Sequence, residues 1–100
     1  MEMHIQFVNI AVSNSLETYI EEKLENLAEK YSNITKAAVY VKKENTSKDD
    51  GKICEMELSV PGPRIFASSN ETNYELAVKN TISDLEKQLR KKKEATKPYV

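Results

Sequence analysis

Polar and apolar residues alternate over 3–8, MHIQFV, with Met3, Ile5 and Phe7 on one side and His4 and Gln6 on the other. A period of two predicts a short, half-buried strand. The period then changes. Leu16, Ile20, Leu24, Leu27 and Tyr31 follow at steps of four, four, three and four, one apolar stripe of a helix. Ser13, Asn14 and Ser15 precede it as N-cap candidates, and Asn14 with Glu17 fits a loose capping box.

Alternation returns at 36–44, KAAVYVKKE, with Ala37, Val39 and Val41 opposite Tyr40 and Lys42. The polar stretch 45–51, NTSKDDG, predicts a loop. Residues 52–60, KICEMELSV, place Cys54, Met56, Leu58 and Val60 inward and Glu55, Glu57 and Ser59 outward. Pro61-Gly62 signals a turn, and 64–69, RIFASS, predicts a fourth strand. Ser69, Asn70 and Thr72 are N-cap candidates for a last helix. Its stripe is Tyr74, Val78, Ile82, Leu85 and Leu89, and the next place on it is Lys92. Helical composition runs on to about Ala95, so the last turns should project past the sheet; Pro98 ends the helix at the latest.

The order β-α-β-β-β-α predicts an α+β fold. A helix between the first two strands permits a right-handed parallel crossover, and the remaining strands can meander antiparallel. Each helix has a single apolar stripe, so both should lie on one face of a four-stranded mixed sheet, a two-layer sandwich. At 100 residues the chain reads as a single domain over 1–95 with a short tail, 96–100.

Composition narrows the chemistry. The one Cys, Cys54, makes no intrachain disulfide or metal cluster and suggests a reducing compartment. No basic leader with an apolar stretch opens the sequence, and no apolar run is long enough to span a bilayer. A cytoplasmic protein without membrane attachment is expected. Cys54 reads as a core residue, and the only His, His4, as an exposed strand residue. The two glycines, Gly51 and Gly62, build no phosphate-cradling loop. No nucleophile–base pair can be named, so no enzyme, cofactor, metal or small-molecule substrate is expected.

Net charge is −1, but the charge is sorted. The last sixteen residues, LEKQLRKKKEATKPYV, hold six Lys or Arg against Glu86 and Glu94, while the first 84 hold nine against fourteen acids. Lys87 and Lys91 are helical neighbours, with Lys79, Arg90 and Lys93 on the adjoining surface. One or two cations would complement a helix C-terminus. Five between 87 and 93 exceed that need and suit a phosphate backbone.

The final helix carries a resemblance. TNYELAV (72–78) and SDLEKQLRKKK (83–93) are similar to the "DMYAAID" and "DKLERQLRKYK" of the ribosome hibernation-promoting factor family, also called ribosome-associated inhibitor, protein Y or sigma-54 modulation protein. SLETYIEEKLENLAEKYSNI (15–34) resembles its "ALREYVEEKLSKLEKYFDRI", and SVPGPRIFAS (59–68) its "HVPGGTLRAE". Asp84 and Glu17 stand where the family has Lys and Arg. The resemblance implies a stress-response protein that binds the small ribosomal subunit in the groove for mRNA and tRNA. It would contact 16S rRNA through basic residues and so silence translation. Carried over by match, Lys30, Lys87, Arg90 and Lys91 are the expected RNA contacts; the charge pattern adds Lys79 and Lys93. Longer members bear a second domain that pairs ribosomes; none is expected here, so this chain should not pair two ribosomes through its own tail. The alternative is a protein–protein module, with a transcription-related partner, using the acidic first helix and the basic last one.

Overall fold

The computed structural model describes residues 1–44 and 51–95; the predicted loop at 45–51, apart from Gly51, and the tail lie outside them. The elements are β1 (Glu2–Phe7), α1 (Asn14–Lys30), β2 (Lys36–Lys43), β3 (Lys52–Ser59), β4 (Ile65–Glu71) and α2 (Tyr74–Ala95). The strands form one sheet in the order β1-β2-β3-β4. β1 pairs in parallel with β2, Ile5 opposite Val39; β2–β3 and β3–β4 are antiparallel, with Val39 opposite Met56 and Met56 opposite Ala67. This is the predicted two-layer α+β sandwich with a mixed sheet.

The core lies between sheet and helices. Val39, Val41, Cys54, Met56 and Leu58 from the strands meet Ile20 and Leu24 of α1 and Ala77, Val78 and Leu85 of α2, all fully buried. Burial raises the Cys54 thiol to about 12, so it is neutral packing material. The α2 stripe is rotated from the expected one. Ala77 and Thr81 are fully buried, while Tyr74 and Ile82 are only half-buried. Thr81 enters the core because its hydroxyl has acceptors there: the Ala77 carbonyl at 2.8 Å and the Cys54 carbonyl at 3.1 Å.

The start of α1 falls on one of the expected caps, whereas that of α2 does not. Ser13 caps α1, its Oγ accepting from the Leu16 N–H at 3.3 Å. Asn14 is already helical, which removes the Asn14–Glu17 capping box. At α2, Asn73 takes the capping role, its Oδ1 accepting from the Leu76 N–H at 2.7 Å. Ser69 and Asn70 cannot, because β4 continues through Glu71.

Strand directions set the helix directions. β1, β2 and β4 run the same way, and each helix returns against the strand it follows. α1 and α2 therefore lie parallel, with both C-termini beside the β3–β4 turn. Gly62 in that turn has φ +89°, which favours glycine. A Cβ there would also come within 3.3 Å of Lys92 Nζ.

Candidate nucleic-acid interface

The helix C-termini bring the basic residues of the two helices to one end. Lys30 closes α1 and sends Nζ across to Glu86 Oε2 on α2 at 3.0 Å. Lys93 lies over the Tyr31 ring, 6.0 Å from its centroid. Lys92 continues the core stripe with its stem and donates to the Pro63 carbonyl at 3.1 Å. Lys30, Tyr31, Ser32, Asn33, Pro61 and Lys93 are among the residues around a cleft of about 420 Å³ between these elements. The last turns of α2 meet loops outside the strands, through Lys92 at Pro63 and Lys93 at Tyr31.

A helix turns roughly 100° per residue, which disperses the 87–93 run. Arg90 is nine residues beyond buried Thr81 and points away from the core. Lys87 and Lys91 lie on the flank near β4, the side on which Gln88 reaches the Phe66 carbonyl at 2.8 Å. Lys93 lies on the α1 flank with Lys30. Lys79 shares the outward ridge with Arg90 but stands about 16 Å nearer the helix start, at 1.5 Å per residue. The structure therefore gathers Lys30, Lys87, Arg90, Lys91 and Lys93 at one end and leaves Lys79 apart. Lys79, Lys87, Arg90 and Lys91 are exposed and, among the described residues, make no ion pair.

One further cation at this end lay outside the sequence reading of the site, Lys92, and its place on the apolar stripe was the available signal. Lys36 and Arg64 lie instead with Ala38, Tyr40 and Glu57 on the open face of the sheet. The open sheet face is a different electrostatic surface. Arg64 there pairs with Glu57 at 3.1 Å and Lys42 with Glu55 at 2.9 Å. His4 hydrogen-bonds the Glu2 carboxylate, which holds that carboxyl below its usual range. Asp84, on the helix flank near β4, accepts from Gln88 Nε2 at 3.4 Å.

Among the described residues no group of three or more His, Cys, Asp or Glu is placed to hold a metal ion. None of their helices is long and apolar enough to cross a membrane. What the end of the molecule offers is a cluster of cations in which Lys87, Arg90 and Lys91 make no ion pair among the described residues, an arrangement suited to meeting a polyanion.

A two-layer α+β domain with a cationic helix end is the class so defined. The chain belongs to the family described as sigma 54 modulation protein / S30EA ribosomal protein, whose model matches residues 3–97. A solved structure of a ribosomal subunit interface protein from Coxiella burnetii is similar over 94% of this chain and 99% of its own, with TM-score 0.82 and 22% identity. The N-terminal domain of Protein Y from Thermus thermophilus is similar over 91% of this chain and 98% of its own, with TM-score 0.75 and 19% identity. These two likenesses concern the fold. No curated protein matches by sequence.

Proposed function

We propose that this chain is a non-catalytic, ribosome-associated factor that occupies the mRNA/tRNA groove of the small subunit and so silences translation. Residues 1–95 form the binding unit, and 96–100 a tail. The reading rests on one observation above all. In a member of the S30EA ribosomal protein family, Lys30, Lys87, Arg90, Lys91 and Lys93 lie at one end of the domain, on the outer surfaces of the two helices. The names of the two similar structures, a ribosomal subunit interface protein and Protein Y, agree with a site between subunits.

The mechanism is steric and electrostatic. Lys87, Arg90 and Lys91 meet 16S rRNA phosphates, releasing condensed counterions. Lys30 and Lys93 hold the second flank. Lys79 stands too far along the helix to share the same phosphate cluster and makes a separate contact. The acidic surfaces turn away from RNA and fix one orientation. The test is sedimentation with purified small subunits over a salt series. For about six phosphate contacts, affinity should fall roughly a thousandfold between 50 and 200 mM salt. Absence of binding at low salt, or binding indifferent to salt, rejects the reading.

A further inference from the structure

The two edges of the sheet are finished differently. On the β4 edge, Gln88 donates to the Phe66 carbonyl at 2.8 Å, and Lys92 to that of Pro63 just before the strand. The β1 edge has no such cover: among the described residues, β1 pairs with β2 alone. Bonds from the Glu2 N–H to the Thr35 carbonyl and from the Val8 N–H to the Val41 carbonyl set the phase of the strand. Even-numbered residues thus turn their peptide groups toward β2, and Met3, Ile5 and Phe7 turn theirs outward. No Pro, Gly or Lys guards the strand.

Beside this edge runs the acidic flank of α1. Lys23, Asn26 and Lys30 line the groove toward α2, so the row Glu17, Glu21, Glu25 lies on the opposite flank, toward β1. Like charges at this i,i+4 spacing work against the helix itself. Among the described residues none of the three makes an ion pair. The row therefore has no account in the packing of the domain.

We propose that the β1 edge is a strand-addition site for an extended basic segment of a partner protein, with Lys or Arg at alternate positions. Carboxylates four apart on a helix repeat about every 6 Å, and alternate residues of a strand about every 6.7 Å. Each Lys on the helix side of the added strand thus finds one Glu. Met3, Ile5 and Phe7 are half-buried and receive the aliphatic stems, while their peptide groups complete the ladder. A second copy of this chain is the poorer occupant, because pairing two β1 edges about a twofold axis sets one Glu row against another. The site is independent of the RNA-facing end.

The test titrates isotope-labelled protein with the peptide acetyl-KTKTKTK-amide and follows backbone amides by NMR. The Met3, Ile5 and Phe7 amides should shift and gain protection from exchange, with cross-strand contacts to the peptide. Glu21→Lys with Glu25→Lys, both away from the core, should weaken binding about tenfold. Ile5→Pro removes an outward N–H without touching the ladder to β2 and should abolish binding; if it unfolds, the glutamate pair still decides. Three results overturn the proposal. They are silence of the β1 amides at millimolar peptide, equal binding of acetyl-KPKPKPK-amide, which cannot complete a ladder, and a dimer of the protein that Ile5→Pro dissolves.

Discussion

Replacing Lys87 and Lys91 together by Glu separates binding from folding. Both side chains are exposed and, among the described residues, free of ion pairs. Neither contributes to the buried set Ala77, Val78, Thr81, Leu85 and Leu89. The cost to the fold comes from acids near a helix C-terminus, about 0.3–1 kcal/mol each at most. It should be smaller for Lys87, which lies two turns from the end. The cost to binding is larger. Each lost phosphate contact removes about one unit from the slope of log affinity against log salt. Two contacts correspond to roughly a hundredfold at 0.1 M salt, before repulsion is added. The assay is small-subunit binding over a salt series, with circular dichroism and thermal melting on the same samples. Lys79→Glu should leave a steeper slope than the pair, since it touches only a separate contact. A folded double variant with unchanged affinity and slope refutes the placement of RNA on this end.

Thr81→Val keeps the shape and removes the hydroxyl from the Cys54 and Ala77 carbonyls; chemical denaturation should show a loss of about 1 kcal/mol. Gly62→Ala forces a side chain into φ +89° and toward Lys92 Nζ at 3.3 Å; melting should show destabilisation by about 1 kcal/mol or more. Cys54 keeps its proton to about pH 12 in the fold, against 9.0 for an ordinary thiol. The unfolded chain therefore loses that proton first, and stability falls as pH rises through this window, by at most about 1.4 kcal/mol per unit. Cys54→Val should flatten that part of the profile, as denaturation at pH 8 and pH 10.5 would reveal.

The strands and helices were legible because burial on one side leaves a period. Alternation at Cys54, Met56 and Leu58 and four-three spacing at Leu16 through Leu27 each match a buried set in the structure. Parallel pairing of β1 with β2 followed from the helix between them. The helix starts were less legible. Ser13, Asn14 and Ser15 are all competent caps, and where the first helical residue falls decides among them. Asn73 was hidden because β4 runs two residues beyond its expected end at Ser69, to Glu71. Thr81 was hidden because a hydroxyl counts as polar in any pattern, although its acceptors lie within the core.

The basic site was half legible, for a reason that also bears on how it works. Along the chain, residues 87–93 read as one patch. On the helix they divide, with Lys87 and Lys91 toward β4, Arg90 outward and Lys93 toward α1. The patch becomes whole only when strand directions make the helices parallel, which adds Lys30 from a point 56 residues upstream of Glu86. A cationic run on a lone helix would follow a single groove of RNA. Spread over two helices whose separation the core sets, the same charges demand phosphates at a fixed spacing. On the proposed function, specificity for one site then comes from the fixed separation of the two helices. A core change such as Leu85→Ala, costing about 2–5 kcal/mol, should therefore lower discrimination between small subunits and free structured RNA even where the domain stays folded. Competition binding with the two RNAs measures this, and equal loss of affinity for both would disprove it.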